Sequence, residues 1–147
     1  MGGVPASCTF CRIVAGEIPA ARIFEDTHAV AFLDHRPLFA GHCLLVPKTH
    51  FETLQELPSD LACRLFAHAR RLSAAVEDGL GAEGAFVAVN NRVSQSVPHV
   101  HIHVVPRRKG DGLKGFFWPR RKYRDDAEME QTRAALEKAI RTVDDGI

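Results

Sequence analysis

Ser96-Val97-Pro98-His99-Val100-His101-Ile102-His103-Val104-Val105 places an imidazole at every second position. Side chains of an extended segment alternate between two faces. His99, His101 and His103 are therefore expected on one face, and Val100, Ile102 and Val104 on the other. The apolar face explains itself as core, so Val100 to Val105 is read as a buried strand. Three imidazoles on the opposite face need another reason, because they pack poorly and repel one another once protonated. Two chemistries suit them. One is metal ligation by neutral rings. The other is attack by one ring on phosphorus, with its neighbours orienting it and binding the phosphate.

Outward from this segment, short apolar runs alternate with turn residues. Arg22 to Glu25 and Ala29 to Leu33 read as two strands joined at Asp26-Thr27. Cys43 to Val46, between Gly41-His42 and Pro47, reads as a buried strand, and Ala85 to Val89 as another. Ser59 is placed as the N-cap of a helix in which Leu61, Leu65, Phe66, Ala69, Leu72 and Val76 follow helical spacing until Gly79 and Gly81. Lys109 to Trp118, with three glycines, is expected as a loop, and Asp126 to Val143 as a last amphipathic helix. Five strands around a central helix, with close connections, predict an α+β domain with a mostly antiparallel sheet. The 147 residues suit one domain, 1–147, with a core over about 8–110 and a basic loop and helix over 107–147.

Hydrophobic residues make up 46% and charged residues 25%, which predicts a soluble globular protein. The net charge of +1 names no partner. No apolar run approaches the roughly 18 residues needed to cross a bilayer, and Met1 to Ser7 does not read as a secretory signal. Neither a membrane nor a nucleic acid is expected as partner. Four cysteines in a chain of this size do not form a disulfide scaffold, so a reducing cytoplasm is inferred. From Arg107 to Arg124 eight basic residues face one acidic residue, Asp111. That stretch suits either a solvated surface or the phosphates of a longer substrate.

Cys8 and Cys11 form a CxxC pair with three readings: a redox pair, two idle buried thiols, or half of a zinc site. The redox reading is weak because no βαβ pattern surrounds the pair.

The triad segment, with Gln95-Ser96-Val97 before it, resembles the histidine-triad (HIT) family of nucleotide hydrolases and transferases. Further blocks follow in family order: Cys8-Thr9-Phe10-Cys11-Arg12-Ile13-Val14-Ala15-Gly16-Glu17-Ile18-Pro19, Phe24-Glu25-Asp26, Ala31-Phe32-Leu33-Asp34 and Gly41-His42-Cys43-Leu44-Leu45-Val46-Pro47-Lys48-Thr49-His50. The resemblance covers about residues 8 to 110 and implies the HIT-like fold, with a five-stranded sheet, a central helix and a C-terminal helix.

It also implies roles. His101 matches the nucleophile that attacks the α-phosphate of a purine nucleotide derivative, such as a nucleoside phosphoramidate or dinucleoside polyphosphate, to give a nucleotidyl-histidine intermediate. His99 matches the first triad histidine, near which a backbone carbonyl is expected to hold the His101 ring. His103 matches a phosphate contact, His42 a further histidine beside the triad, and Ser96 a contact to phosphate or leaving group. Asp34 matches the ribose-binding carboxylate, and Asn90 and Gln95 match polar residues around ribose and phosphate. Phe10, Ile18 and Phe32 match an apolar base pocket, although such residues equally suit plain core. Some bacterial members bind zinc with residues matching Cys8, Cys11, His50 and His99, which implies a closed, structural Zn(2+). A homodimer is also implied. The chain departs from the pattern at Val93-Ser94, where many members of the family carry Ala-Gly, and at His35, where they often carry an apolar residue. Two other functions fit the residues: a metallohydrolase using the triad as zinc ligands, and a nucleotide-binding protein without catalysis.

Overall fold

The computed structural model describes residues 5–114 and 119–143. The chain divides into two compact units after Lys109. The first contains helix α1 (Thr9–Val14), strands β1 (Arg22–Glu25), β2 (Ala29–Leu33) and β3 (Cys43–Pro47), helix α2 (Ser59–Leu80), and strands β4 (Gly84–Ala88) and β5 (Ile102–Arg107). A single 3-10 turn, Leu54–Glu56, precedes α2. The five strands form one antiparallel sheet in the order β1-β2-β3-β5-β4.

Both faces of this sheet are covered, which is why β2 and β3 read as continuous apolar runs. On one face Ala29, Ala31, Cys43, Leu45, Ile102 and Val104 meet Leu65, Ala69, Leu72 and Val76 of α2. On the other, Val30, Phe32, Leu44 and Val46 meet Cys8, Phe10, Cys11 and Ile13 from α1 and its cap. Burying a side chain such as Leu65 or Leu72 stabilises by about 2 kcal/mol, so α2 is held chiefly by its apolar stripe. Gly81, with φ of 65°, ends α2 in the left-handed conformation that glycine adopts without strain.

The β1–β2 hairpin lies where expected. Its turn is built by Asp26, whose Oδ1 accepts the backbone N–H groups of His28 and Ala29 at 2.8 Å each. Three expectations shift. Pro58, not Ser59, occupies the N-cap of α2, and no side chain caps that end. Gly79 lies inside α2 rather than ending it. The strand expected over Val100 to Val105 runs instead over Ile102–Arg107, so His99 and His101 precede it. Pro98 has no N–H to donate, and the His99 and Val100 N–H groups bond Val97 and Phe51 carbonyls outside the sheet. Helix α1 was not foreseen, because six residues show no clear period.

The second unit contains α3 (Asp126–Ile140), slightly shorter than the expected Asp126 to Val143. Asp125 caps it by accepting the Glu128 N–H. Of the loop expected over Lys109 to Trp118, residues 115–118 lie outside the described residues. Among the described residues no helix is long and apolar enough to cross a membrane.

Candidate active site and metal centre

The segment Val97 to His103 turns its three imidazoles into different environments. His99 is fully buried. Its Nε2–H donates to the Pro47 carbonyl at the end of β3, 2.9 Å away. This fixes the tautomer and leaves the Nδ1 lone pair facing Cys8 Sγ at 3.4 Å, Cys11 Sγ at 3.5 Å and His50 Nδ1 at 3.2 Å. Cys11 Sγ lies 3.3 Å from His50 Nδ1. The four ligand atoms all fall within 4.8 Å of one another.

This set fits a divalent metal such as zinc. It offers two sulfurs and two imidazole nitrogens, tetrahedral zinc's usual donors. The Pro47 carbonyl supplies the outer-shell acceptor that a ligating histidine needs. Without a cation, burial and the neighbouring Cys8 push the Cys11 thiol up to about 12. A bound cation would relieve that penalty by stabilising the thiolate. Cys8 and Cys11 are brought to one point by α1: Cys8 is its N-cap, and its Sγ accepts the Cys11 N–H.

His101 is 4% exposed, and its Nδ1–H donates to the His99 carbonyl at 2.8 Å. The lone pair is thereby placed on Nε2. Burial holds this ring below the usual histidine range, so the neutral form that carries the lone pair prevails. The Phe10 ring packs edge-on against it at 5.0 Å between centroids.

His103 belongs to β5, opposite Leu44 of β3. A chain of bonds sets its tautomer. The Leu38 N–H donates to His42 Nδ1 at 3.1 Å, so the His42 proton sits on Nε2. That proton is donated to His103 Nδ1 at 2.9 Å. His103 therefore carries its own proton on Nε2, a buried nitrogen with no partner among the described residues. The rings of His101 and His103 lie 4.9 Å apart. Burial first, then the nearby His101 and His42, pushes the His103 ring down to about 4. It remains a neutral donor above that range. The site thus sets a ring with a lone pair on Nε2 next to a ring that carries an N–H donor without a partner among the described residues.

The triad rings do not gather round one point. Among the described residues, one compact ligand group holds His99, another holds Asp34, His42 and His103, and neither contains His101.

Asp34 follows β2. Its Oδ1 accepts the Arg36 N–H at 2.9 Å, and its Oδ2 lies 3.8 Å from His42 Nε2. Ile18, Phe32, Asp34 and His35 share a mostly apolar cleft of about 640 Å³. Phe10 does not line this cleft. It packs behind it, against Phe32 at 5.6 Å. Gln95 is engaged locally, accepting the Arg92 N–H and donating to the Glu52 carbonyl. Ser96 is exposed and Asn90 half-buried, and it is Asn91 that ties the loop to Leu54. Three contributors were not foreseen: the Pro47 carbonyl, the Leu38 N–H and the Phe10–His101 contact. The first two are backbone groups, which sequence does not mark. The third was hidden because Phe10 was assigned to the base pocket.

This sheet, this triad and the Cys/His cluster together define a histidine-triad protein of the type with an N-terminal CxxC zinc motif. The chain belongs to the HIT domain family, whose model matches residues 15–110. It is 39% identical over 127 residues to "Protein hit" of Bacillus subtilis, covering 84% of this chain and 86% of that protein. It is also 39% identical over 115 residues to an adenosine 5'-monophosphoramidase of Schizosaccharomyces pombe, covering 77% and 84%. A Zn-bound histidine triad family protein of Mycobacterium smegmatis shares the fold with a TM-score of 0.71 at 40% identity, over 90% of this chain and 95% of that one.

Proposed function

We propose that the protein is a nucleotide hydrolase that cleaves at the α-phosphate through a covalent intermediate on His101. One observation carries this reading: the His101 ring, whose lone pair the His99 carbonyl fixes on Nε2, lies 4.9 Å centroid to centroid from the His103 ring, whose Nε2–H has no partner among the described residues. A nucleophile needs its other nitrogen held as N–H, and developing phosphoryl charge needs a preorganised donor. The His101 Nε2–phosphorus bond forms as the bond from phosphorus to the leaving group breaks. The leaving group departs with a proton from solvent. Water then attacks the same phosphorus and gives up a proton to solvent, the Nε2–phosphorus bond breaks, and a nucleoside monophosphate leaves. His103 donates to a non-bridging oxygen in both steps, and His42 fixes that donor. Asp34 would hold the ribose hydroxyls, and the Ile18–Phe32 cleft the base. Ser96, exposed beside the triad, would meet the leaving group. Asn90 would bond substrate too, whereas the Gln95 carboxamide would hold the loop.

The substrate class proposed is an adenosine phosphoramidate, supported by the named activity of the fission-yeast relative. Cys8, Cys11, His50 and His99 would hold zinc in a closed, structural site. The two units would act as one HIT domain in a cytoplasmic homodimer, checked by molar mass in solution through light scattering and by fractionation.

The test is a substrate panel of adenosine phosphoramidates and diadenosine polyphosphates with wild type and His101→Ala. Wild type is expected to trap an α-labelled nucleotidyl adduct at His101, and the variant to lose turnover by about 10³-fold or more. Turnover retained by His101→Ala, or turnover without any adduct, would overturn the reading. Binding with no turnover on any substrate would support an adaptor instead.

A further inference from the structure

Phe10 stands inside the CxxC sequence, between the two thiol residues. Its ring is 6% exposed and meets three other rings edge-on: His101 at 5.0 Å, His99 at 5.8 Å and Phe32 at 5.6 Å. The His101 ring is thus restrained from two directions. Its Nδ1–H is held by the backbone carbonyl of His99. Its side is closed by Phe10. Both restraints come from the Cys8–Cys11–His50–His99 centre, one through a ligand residue and one through the turn that joins two ligand residues.

We propose that this centre is a positioning device for His101 as well as a structural tie, with Phe10 as its positioning residue. The proposal rests on the reading of His101 as nucleophile. Its physical basis is the weakness of α1 by itself. A six-residue helix is too short to persist alone, and its first turn is capped only by a sulfur 3.4 Å from the Cys11 N–H. Four ligand residues drawn to one ion anchor α1 to the end of β3 and to His99. The backbone ladder lies elsewhere, in β1 to β5, so loosening α1 frees Phe10 and uncovers Val30, Phe32, Leu44 and Val46 while the strands stay paired. The His101 ring then gains rotational freedom about its side chain, and its proton can move from Nδ1 to Nε2. Either change removes the aligned lone pair that in-line attack requires. Phe10 also touches Phe32, a wall of the cleft, so the same ring would align the base cleft with the nucleophile.

The experiment uses full-length protein in three states: zinc-loaded, chelator-stripped, and reloaded with zinc. Long-range proton–nitrogen spectra of the histidine rings report which nitrogen of His101 carries the proton. Zinc-loaded protein should show only the Nδ1–H form. Stripped protein should show both forms, with the amide protection of the five strands against exchange retained, and reloading should restore the first spectrum. In parallel, Phe10→Leu and Phe10→Tyr are studied zinc-loaded. Phe10→Leu should retain one equivalent of zinc and bind AMP within about twofold of wild type. Its kcat should fall about tenfold or more, and Phe10→Tyr should restore most of it. A single His101 tautomer in stripped protein, or wild-type kcat in Phe10→Leu, would overturn the proposal. If stripping melts the sheet, the zinc-loaded Phe10→Leu spectrum decides, and an unchanged His101 ring signal there counts against it. The ring spectra do not depend on turnover. Retained turnover in His101→Ala would therefore refute the nucleophile while leaving the positioning of the ring separately measured.

Discussion

Gly41 is the residue at which a single methyl group should cost most for its size. Its φ is 99°, a conformation that L side chains rarely adopt. A Cβ there would clash with Leu80 Cδ1 and lie 3.1 Å from Pro106 Cγ. Leu80 is 48% exposed, so its side-chain end can swing into solvent at small cost. Pro106 is fixed in β5 opposite Ala85 and has little room to move. The backbone conformation alone costs roughly 1 to 3 kcal/mol for a residue with a Cβ. With the Pro106 contact and the lost Leu80 packing, Gly41→Ala should destabilise by about 2 to 4 kcal/mol, lowering the melting temperature by roughly 5 to 15 °C. The strain falls beside His42, whose ring sets the His103 proton, so activity should drop as well. The comparison is Gly79→Ala. Gly79 lies in α2 with open space around a built Cβ, and helix propensity there should raise stability by about 0.5 kcal/mol. Both variants are measured by thermal and urea unfolding. If Gly41→Ala melts within a degree of wild type, or both variants shift in the same direction, the reasoning from φ and close approach fails.

Two further predictions follow from the same site. Ser94 has φ of 61°, a left-handed conformation that is strained for a residue with a Cβ, so Ser94→Gly should stabilise by about 0.5 to 1 kcal/mol, seen as a higher urea midpoint. An unchanged or lower midpoint would show that this loop stores no strain at that residue. The second concerns pH. His103 titrates near 4 in the fold, against 6.5 for an ordinary histidine, because burial and its neighbours disfavour the charged ring. Between those values the unfolded chain binds the proton and the folded chain does not, so stability falls as pH drops from about 6.5 toward 4. His42, also lowered by burial, acts in the same direction. The urea midpoint should therefore be lower at pH 5 than at pH 7, and by less in His103→Gln. Equal losses in the variant and wild type would remove His103 as the cause.

The fold was legible in the sequence where burial imposes a period. β1 and β2 lie where their runs of apolar residues and the Asp26 turn put them. α2 follows its stripe, because Leu65, Ala69, Leu72 and Val76 must all face the sheet. What escaped was local and backbone-driven. α1 takes its stability from packing and ligand residues rather than from its own pattern. The start of β5 moved two residues because Pro98 cannot donate and the next two N–H groups found acceptors outside the sheet. Of the site, the four metal-ligand candidates named from the resemblance do converge within 4.8 Å.

The triad shows why side-chain period carries only part of a site's chemistry. A spacing of two says which way three rings point, and it treats them as equivalent. Their chemistry diverges because each ring has a different partner on its second nitrogen. The Pro47 carbonyl accepts the Nε2–H of His99 and leaves its Nδ1 lone pair facing Cys8, Cys11 and His50. The His99 carbonyl accepts the Nδ1–H of His101 and leaves a lone pair on Nε2. His42, itself fixed by the Leu38 N–H, donates to Nδ1 of His103 and leaves Nε2 as a donor. Metal-facing lone pair, open lone pair and donor are thus three states of one side chain, selected by two backbone carbonyls and by the His42 ring, which a backbone amide orients in turn. The tautomers, and with them the division of labour, are written in the backbone path around the histidines. That is why a substitution that bends this path, such as Gly41→Ala, should disturb the chemistry without touching a histidine.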